Sequence, residues 1–211
     1  RQTLSLISDA LSGAKLYFAG GCVRDMLLGE PSKDFDIEVY CISQANFEKA
    51  MESIGAIGVG KSFFVYRLAN FDISLPRIES KIGAGHAAFE TSVTDDMRTA
   101  CMRRDFTINS MLLGVDSGEL FDFYGGANDL QHRMLRATSK KSFAEDSLRV
   151  LRAMQFAARF RMRIEPNTAN MCAQTDLSDI SVSRILAEFE KMFSGKFLLF
   201  GVYYFFKLNI N

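Results

Sequence analysis

Between positions 34 and 40 the chain alternates Asp34, Asp36 and Glu38 with Phe35, Ile37 and Val39. A period of two belongs to a β-strand with one face buried, because successive side chains point to opposite sides of a sheet. Here the apolar side can enter a core while the other side carries only acids. A strand of this kind needs neighbouring strands and a covering layer, which restricts the region around it to a sheet packed with helices.

The flanking segments supply both. Leu4, Ile7, Ala10 and Leu11 recur at helical spacing before Gly13, which predicts a first helix. Lys15 to Ala19 reads as a short buried strand, followed by Gly20-Gly21 and a compact helix from Cys22 to Leu28 that stops at Gly29. A helix from near Ser43 to before Gly55 precedes two strand-like runs, Ser62–Leu68 and Phe71–Leu75. Residues 76–92, with Gly83 and Gly85, read as a mobile loop. Ser110–Val115 and Glu119–Tyr124 around Asp116-Ser117-Gly118 suggest a hairpin. From about Phe143 onward the pattern is helical. The expected organisation is therefore an α+β head over residues 1–137, with a small mixed or antiparallel sheet flanked by helices, and an all-α neck over 138–211.

With 25 Lys+Arg against 25 Asp+Glu the net charge is zero, so any grip on nucleic acid has to come from a local patch. Cys22, Cys41, Cys101 and Cys172 have no paired spacing, which argues against a zinc site or a disulfide framework and for reduced thiols in a cytoplasm. The longest apolar stretch, Phe197 to Phe206, is about half of the ~20 residues that a membrane helix needs, and no basic-then-apolar leader opens the chain. A soluble protein without a membrane partner is expected; the charge balance says nothing of its oligomeric state.

Asp34 and Asp36, two positions apart on a strand, project from one face and bring two carboxylates close together. Hard oxygen ligands of this kind suit Mg²⁺, which takes one or two carboxylates and completes its shell with water and phosphates. A solvated edge strand would carry the same acids. Gly20 and Gly21 before a helix let backbone N–H groups approach an anion at the positive helix end, and Arg24 on its first turn can fork onto phosphate oxygens. A glycine pair in a tight turn would look the same.

Gly20-Gly21-Cys22-Val23-Arg24-Asp25-Met26-Leu27-Leu28-Gly29, a short loop and then Asp34-Phe35-Asp36 resemble the first motif of the class II CCA-adding enzyme and bacterial poly(A) polymerase family, in the polymerase β superfamily. Arg103-Arg104-Asp105-Phe106-Thr107-Ile108-Asn109-Ser110 resembles its second motif, and Glu145-Asp146-Ser147-Leu148-Arg149-Val150-Leu151-Arg152 its Glu-Asp-x-x-Arg-x-x-Arg motif. The resemblance covers about Tyr17 to Phe160. It implies a nucleotidyltransferase head in which Asp34 and Asp36 are catalytic and hold two Mg²⁺ ions. It further implies a third carboxylate at Asp72, Gly20, Gly21, Arg24, Arg104 and Asn109 around the nucleotide, and Asp105 near its ribose.

The third motif also has a reading from chemistry. On a continuous helix Glu145, Arg149 and Arg152 share one face, with Asp146 beside Arg149. Cytosine and adenine each set an exocyclic amine beside a ring acceptor, whereas uracil and guanine put a carbonyl there. An Asp146–Arg149 pair would accept C and A and refuse U and G; a helix-surface ion pair is the plainer alternative. The expected activity is addition of CMP and AMP, from CTP and ATP, to the 3′ end of tRNA or another RNA. Poly(A) or CC-only addition is the nearest rival, and an inactive RNA- or nucleotide-binding module the rival of another class. A metal-dependent phosphohydrolase is disfavoured because His86 and His132 form no His-Asp pair. Two departures stand out: Gln155 lies where relatives carry another arginine, and the chain stops where relatives continue into helical domains that hold RNA, which suggests truncation.

Overall fold

A computed structural model describes residues 2–59, 64–81 and 89–209. The chain divides into two compact units, one of Arg1–Ser80, Glu90–Cys101 and Asn109–Phe123, the other of Lys81–Phe89, Met102–Ile108 and Tyr124–Asn211.

In chain order the elements of the first half are α1 (Gln2–Ala10), β1 (Lys15–Ala19), α2 (Gly21–Leu28), β2 (Phe35–Tyr40), α3 (Gln44–Ser53), β3 (Ile57–Gly58), β4 (Val65–Leu68), β5 (Phe71–Ser74), β6 (Arg77–Lys81), β7 (Phe89–Val93), α4 (Met97–Met102), β8 (Leu112–Gly114) and β9 (Leu120–Phe121). Seven strands form one sheet in the order β3-β4-β5-β2-β1-β8-β9. Only the β2–β5 pair is parallel; the other pairings in that sheet are antiparallel. This is the mixed sheet flanked by helices that the patterning calls for. Ile37, Val39 and Ile73 on one face pack with Ile7 of α1, Leu11 just after it, and Phe47 and Met51 of α3 in a common core. Burial of that apolar surface, at roughly 25 cal/mol per Å², is what holds the sheet to its helices.

Two sequence expectations need correction. The acid-bearing side of β2 is not all solvated: Glu38 is 3% exposed and accepts a hydrogen bond from the Tyr40 hydroxyl at 2.8 Å. Tyr17, its register partner on β1, stacks edge-on against Tyr40 and Phe121, so aromatic rings cover this end of the face. The second correction concerns residues 76–92, whose flanks form a two-stranded sheet, β6 with β7, rather than a loop. Gly83, Gly85 and His86 lie outside the described residues, as does Ser62 of the run expected to become β4.

The second unit contains α5 (Gly126–Gln131), β10 (Met134–Leu135), α6 (Lys140–Glu145), α7 (Leu148–Phe160), β11 (Arg163–Ile164), α8 (Pro166–Gln174), α9 (Val182–Phe193) and α10 (Leu198–Lys207). It is helical apart from the parallel two-residue pairing of β10 with β11. Its axis is α7, buried along Val150, Leu151, Ala153, Met154, Phe156, Ala157 and Ala158. Phe106 packs edge-on against Phe156 and Phe143. Gly201 of α10 allows a close approach: a Cβ there would lie 2.9 Å from Met192 of α9 and 3.0 Å from Ala158 of α7.

Candidate functional site

In the first unit the register of the sheet sets three charged side chains in one row. Arg67 of β4 lies opposite Asp72 of β5, and Asp72 lies opposite Asp36 of β2. Directly opposed residues share a face. On the other face Phe35 stacks on Phe71 at 5.4 Å, and Ile37 and Ile73 are buried. Core packing therefore fixes which way the acids point, since a shift of one residue would bury them. Asp34 precedes β2 in a bend, and both Asp34 and Asp36 are exposed.

Asp72 is engaged by Arg67, which donates from Nε and Nη2 to its two oxygens at 2.6 Å each. Hydrogen bonding to Asp72 and then its charge raise the pKa of the Arg67 guanidinium, with smaller contributions from the charges of Asp34 and Asp36. Among the described residues no set of three His, Cys, Asp or Glu side chains is placed to hold a metal ion. Asp34 and Asp36 nevertheless fit Mg²⁺, which asks for only one or two carboxylates beside water and phosphate oxygens.

Strand β1 ends at Ala19, level with Asp36, and leads into Gly20. Gly20 has φ 70° and ψ −129°, a conformation that side chains with a Cβ rarely adopt. The thiol of Cys22 donates to the carbonyls of Ala19 at 3.1 Å and Asp36 at 3.7 Å, which fastens the first turn of α2 to β2 at the acidic row. Arg24 departs from expectation. It is 4% exposed, forks onto Asp25 from Nε and Nη2 at 2.8 and 2.7 Å, and donates from Nη1 to Oδ1 of Asn109 at 2.7 Å. Arg24 and Asn109, expected around the nucleotide, form a buried tie between the first and second motifs.

In the second unit Asp105 is 9% exposed and accepts from Nε and Nη2 of Arg152 at 2.8 and 2.7 Å and from the Phe106 N–H at 2.7 Å. Burial works against the charged form of Arg152, but the Asp105 carboxylate outweighs it and raises its pKa. Arg104 is half-buried, its carbonyl accepting from the Ser142 hydroxyl.

The continuous helix expected over Glu145–Arg152 is broken. Helix α6 ends at Glu145, Asp146 is extended at φ −139° and ψ 104°, and α7 begins at Leu148. The cause is local: an aspartate side chain competes with the helix for backbone donors, and Asp146 Oδ1 accepts from the Leu148 N–H at 3.2 Å. The expected Asp146–Arg149 pair is absent as a consequence. Asp146 is paired with Arg184 of α9 at 3.2 Å, while Arg149 donates to the Arg103 carbonyl at 2.7 Å. Nη1 of Arg149 is buried without a hydrogen-bond partner, and burial lowers its pKa. Gln155 is 1% exposed with an unpartnered Nε2, so the residue in place of an arginine faces a buried environment.

Arg67, Asp25 and Arg184 were not singled out by sequence. Arg67 was within reach: strand-like runs on either side of Ala69-Asn70 form a hairpin, and a two-residue turn sets position 67 opposite 72. Arg184 carries no such local signal, since 38 residues separate it from Asp146.

Residues 16–136 match the poly A polymerase head domain. Multifunctional CCA proteins of Xanthomonas campestris and Pseudoalteromonas atlantica are 38% and 39% identical, each match covering 84% of this chain and 45% of the relative. The chain thus spans about half the length of these relatives. Among solved structures, the Bacillus stearothermophilus CCA-adding enzyme in complex with CTP is 27% identical with a TM-score of 0.83, over 98% of this chain and 52% of that one. The Thermotoga maritima CCA-adding enzyme complexed with tRNA is 27% identical with a TM-score of 0.78, over 99% and 50%. With its head domain matched and its sheet and motifs in place, the chain belongs to the poly(A) polymerase head-domain family that includes these CCA-adding enzymes.

Proposed function

We propose that this chain transfers CMP and AMP from CTP and ATP to the 3′ end of tRNA in the cytoplasm, releasing pyrophosphate. The observation that carries this reading is the register of Asp36 with Asp72 beside the end of β1, where the Gly20–Gly21 turn begins. Relatives described as CCA proteins, and solved CCA-adding enzymes that hold CTP or tRNA, support the same chemistry. The match to a poly A polymerase head favours adenylate addition to other RNA 3′ ends as a second reading.

Asp34 and Asp36 would hold two Mg²⁺ ions, which when bound lower the pKa of a 3′-hydroxyl and neutralise charge at the α-phosphate. The remaining work is positioning and charge placement. Gly20 and Gly21 open the first turn of α2 so that its N–H groups meet phosphate oxygens. Arg24 fixes that turn through Asp25 and Asn109. Arg104 supplies positive charge to the triphosphate. Asp105 orients Arg152, and Asp146 and Arg149, held by Arg184 and the Arg103 carbonyl, would meet the base only by exchanging those partners. The head that carries this chemistry is taken as residues 1–137 and the nucleotide-recognising neck as 138–211, a reading supported by the match over 16–136.

The test is extension of tRNA lacking its 3′ end with CTP alone, ATP alone and both, the products being sequenced. Growth by CCA is expected; a long A-tract or a CC stop selects the rival activities. Asp36→Asn should lower incorporation by about 100-fold or more without changing the circular dichroism spectrum, and substantial residual incorporation would sink the assignment.

A further inference from the structure

Arg67 sits where a cation would have to arrive. In the sheet row Arg67–Asp72–Asp36 it is the only base, and it spans both oxygens of Asp72 at 2.6 Å. Its side chain is 58% exposed and that of Asp72 27%. Ion pairs this exposed add little to stability, because high dielectric and side-chain entropy cancel most of the attraction. Fold stability is therefore a poor account of a two-pronged fork placed among carboxylates. The fork's chemical effect is plainer: it takes up the lone pairs of one carboxylate and sets a fixed positive charge in the field of Asp34 and Asp36, whose charges act on it in turn.

A divalent ion seeks those same hard oxygens. Unlike the ion, a guanidinium on a long, exposed side chain can leave by bond rotation, without disturbing the buried Phe71 and Ile73 on either side of Asp72. We propose that Arg67 is a built-in competitor for the acidic row: it and a divalent cation are alternative partners of Asp72, so that residue 67 sets the cation affinity of the site. The proposal rests on the metal-binding reading of Asp34 and Asp36 given above. It makes Arg67 a positioning residue that holds Asp72 in a fixed rotamer, and it explains how Asp36 and Asp72, directly opposed in the sheet, avoid mutual repulsion before a cation binds.

The experiment is calorimetric titration of the whole chain with Mn²⁺ alone, comparing wild type, Arg67→Ala, Arg67→Gln, Asp72→Asn, Asp36→Asn and the Arg67→Ala/Asp72→Asn double variant. Loss of the neighbouring charge and of the competing fork should tighten Mn²⁺ binding about fivefold in Arg67→Ala. Arg67→Gln keeps the stem and loses the charge, and should show the same gain; melting curves check that both variants fold. Most of the gain should vanish once Asp72→Asn is present. Unchanged or weaker binding in both Arg67 variants overturns the proposal, and so does a gain undiminished by Asp72→Asn, which would mean action at a distance rather than competition. These outcomes leave the metal reading standing, whereas loss of all Mn²⁺ binding in wild type and Arg67 variants, or retention of full binding in Asp36→Asn, removes the metal reading and the proposal together.

Discussion

Glu165 gathers four contacts on one carboxyl, among them a hydrogen bond from the Asn167 amide at 3.0 Å. It accepts from the Thr168 N–H at 2.9 Å and the Thr168 hydroxyl at 3.0 Å, capping α8, and lies 3.7 Å from Arg136. Burial pushes the Glu165 carboxyl up, but the Thr168 N–H and the bonds and charge beside it prevail and hold its pKa below the usual 4.5. A folded pKa below the unfolded one means that the carboxylate stabilises the fold above the unfolded value and ceases to do so as pH falls through the folded value. Glu165→Gln should therefore cost about 1 kcal/mol at pH 7, and the difference in urea midpoint from wild type should shrink as pH falls below 4.5. A gap independent of pH would contradict it. At this scale the sequence was readable where the cause is local. Asp36 follows from alternation, and Gly20 from a turn that needs positive φ. The partner of Asp146 depends on where α9 comes to lie, which no neighbouring residue reports.

Helices show the same division. Although nearly every residue of Phe197–Phe206 is apolar, α10 buries Gly201 and Tyr204 and exposes Leu199, Tyr203 and Phe206. What decides the face is the contact of Gly201 with Met192 and Ala158, where bare backbone lets α10 approach α7 and α9. Gly201→Leu improves helix propensity by about 1 kcal/mol, but overpacking at this contact costs more. A net loss of roughly 1–3 kcal/mol is expected in urea unfolding followed by circular dichroism; a stabilised variant would show the contact to be soft. The break at Asp146 escaped the sequence reading because the periodicity of α6 and α7 runs through it, and only the side-chain bond to Leu148 reveals the interruption. The strands β6 and β7 were missed because residues 76–92, with Gly83 and Gly85, hold few apolar residues.

For the whole molecule, 25 basic and 25 acidic residues cancel. The second unit holds 16 of the basic residues against nine acidic ones, and in it Arg136 is held by Asp129, Arg152 by Asp105 and Arg184 by Asp146, so only part of its positive charge is spent internally. Binding of a tRNA acceptor end to this chain alone should be weak, with log affinity against log salt falling at a slope of only about −2 to −4. Fluorescence anisotropy between low and moderate salt measures it, and a slope beyond about −6 would show that the remaining basic side chains of the second unit act together on the RNA. The Arg24–Asn109 bond joins positions 85 apart in the chain. Someone building chimeras from relatives by exchanging the glycine-turn cassette alone would strand a buried guanidinium or a buried amide. A graft that keeps its shape has to carry position 109 along with position 24, as if the two were adjacent letters of one word.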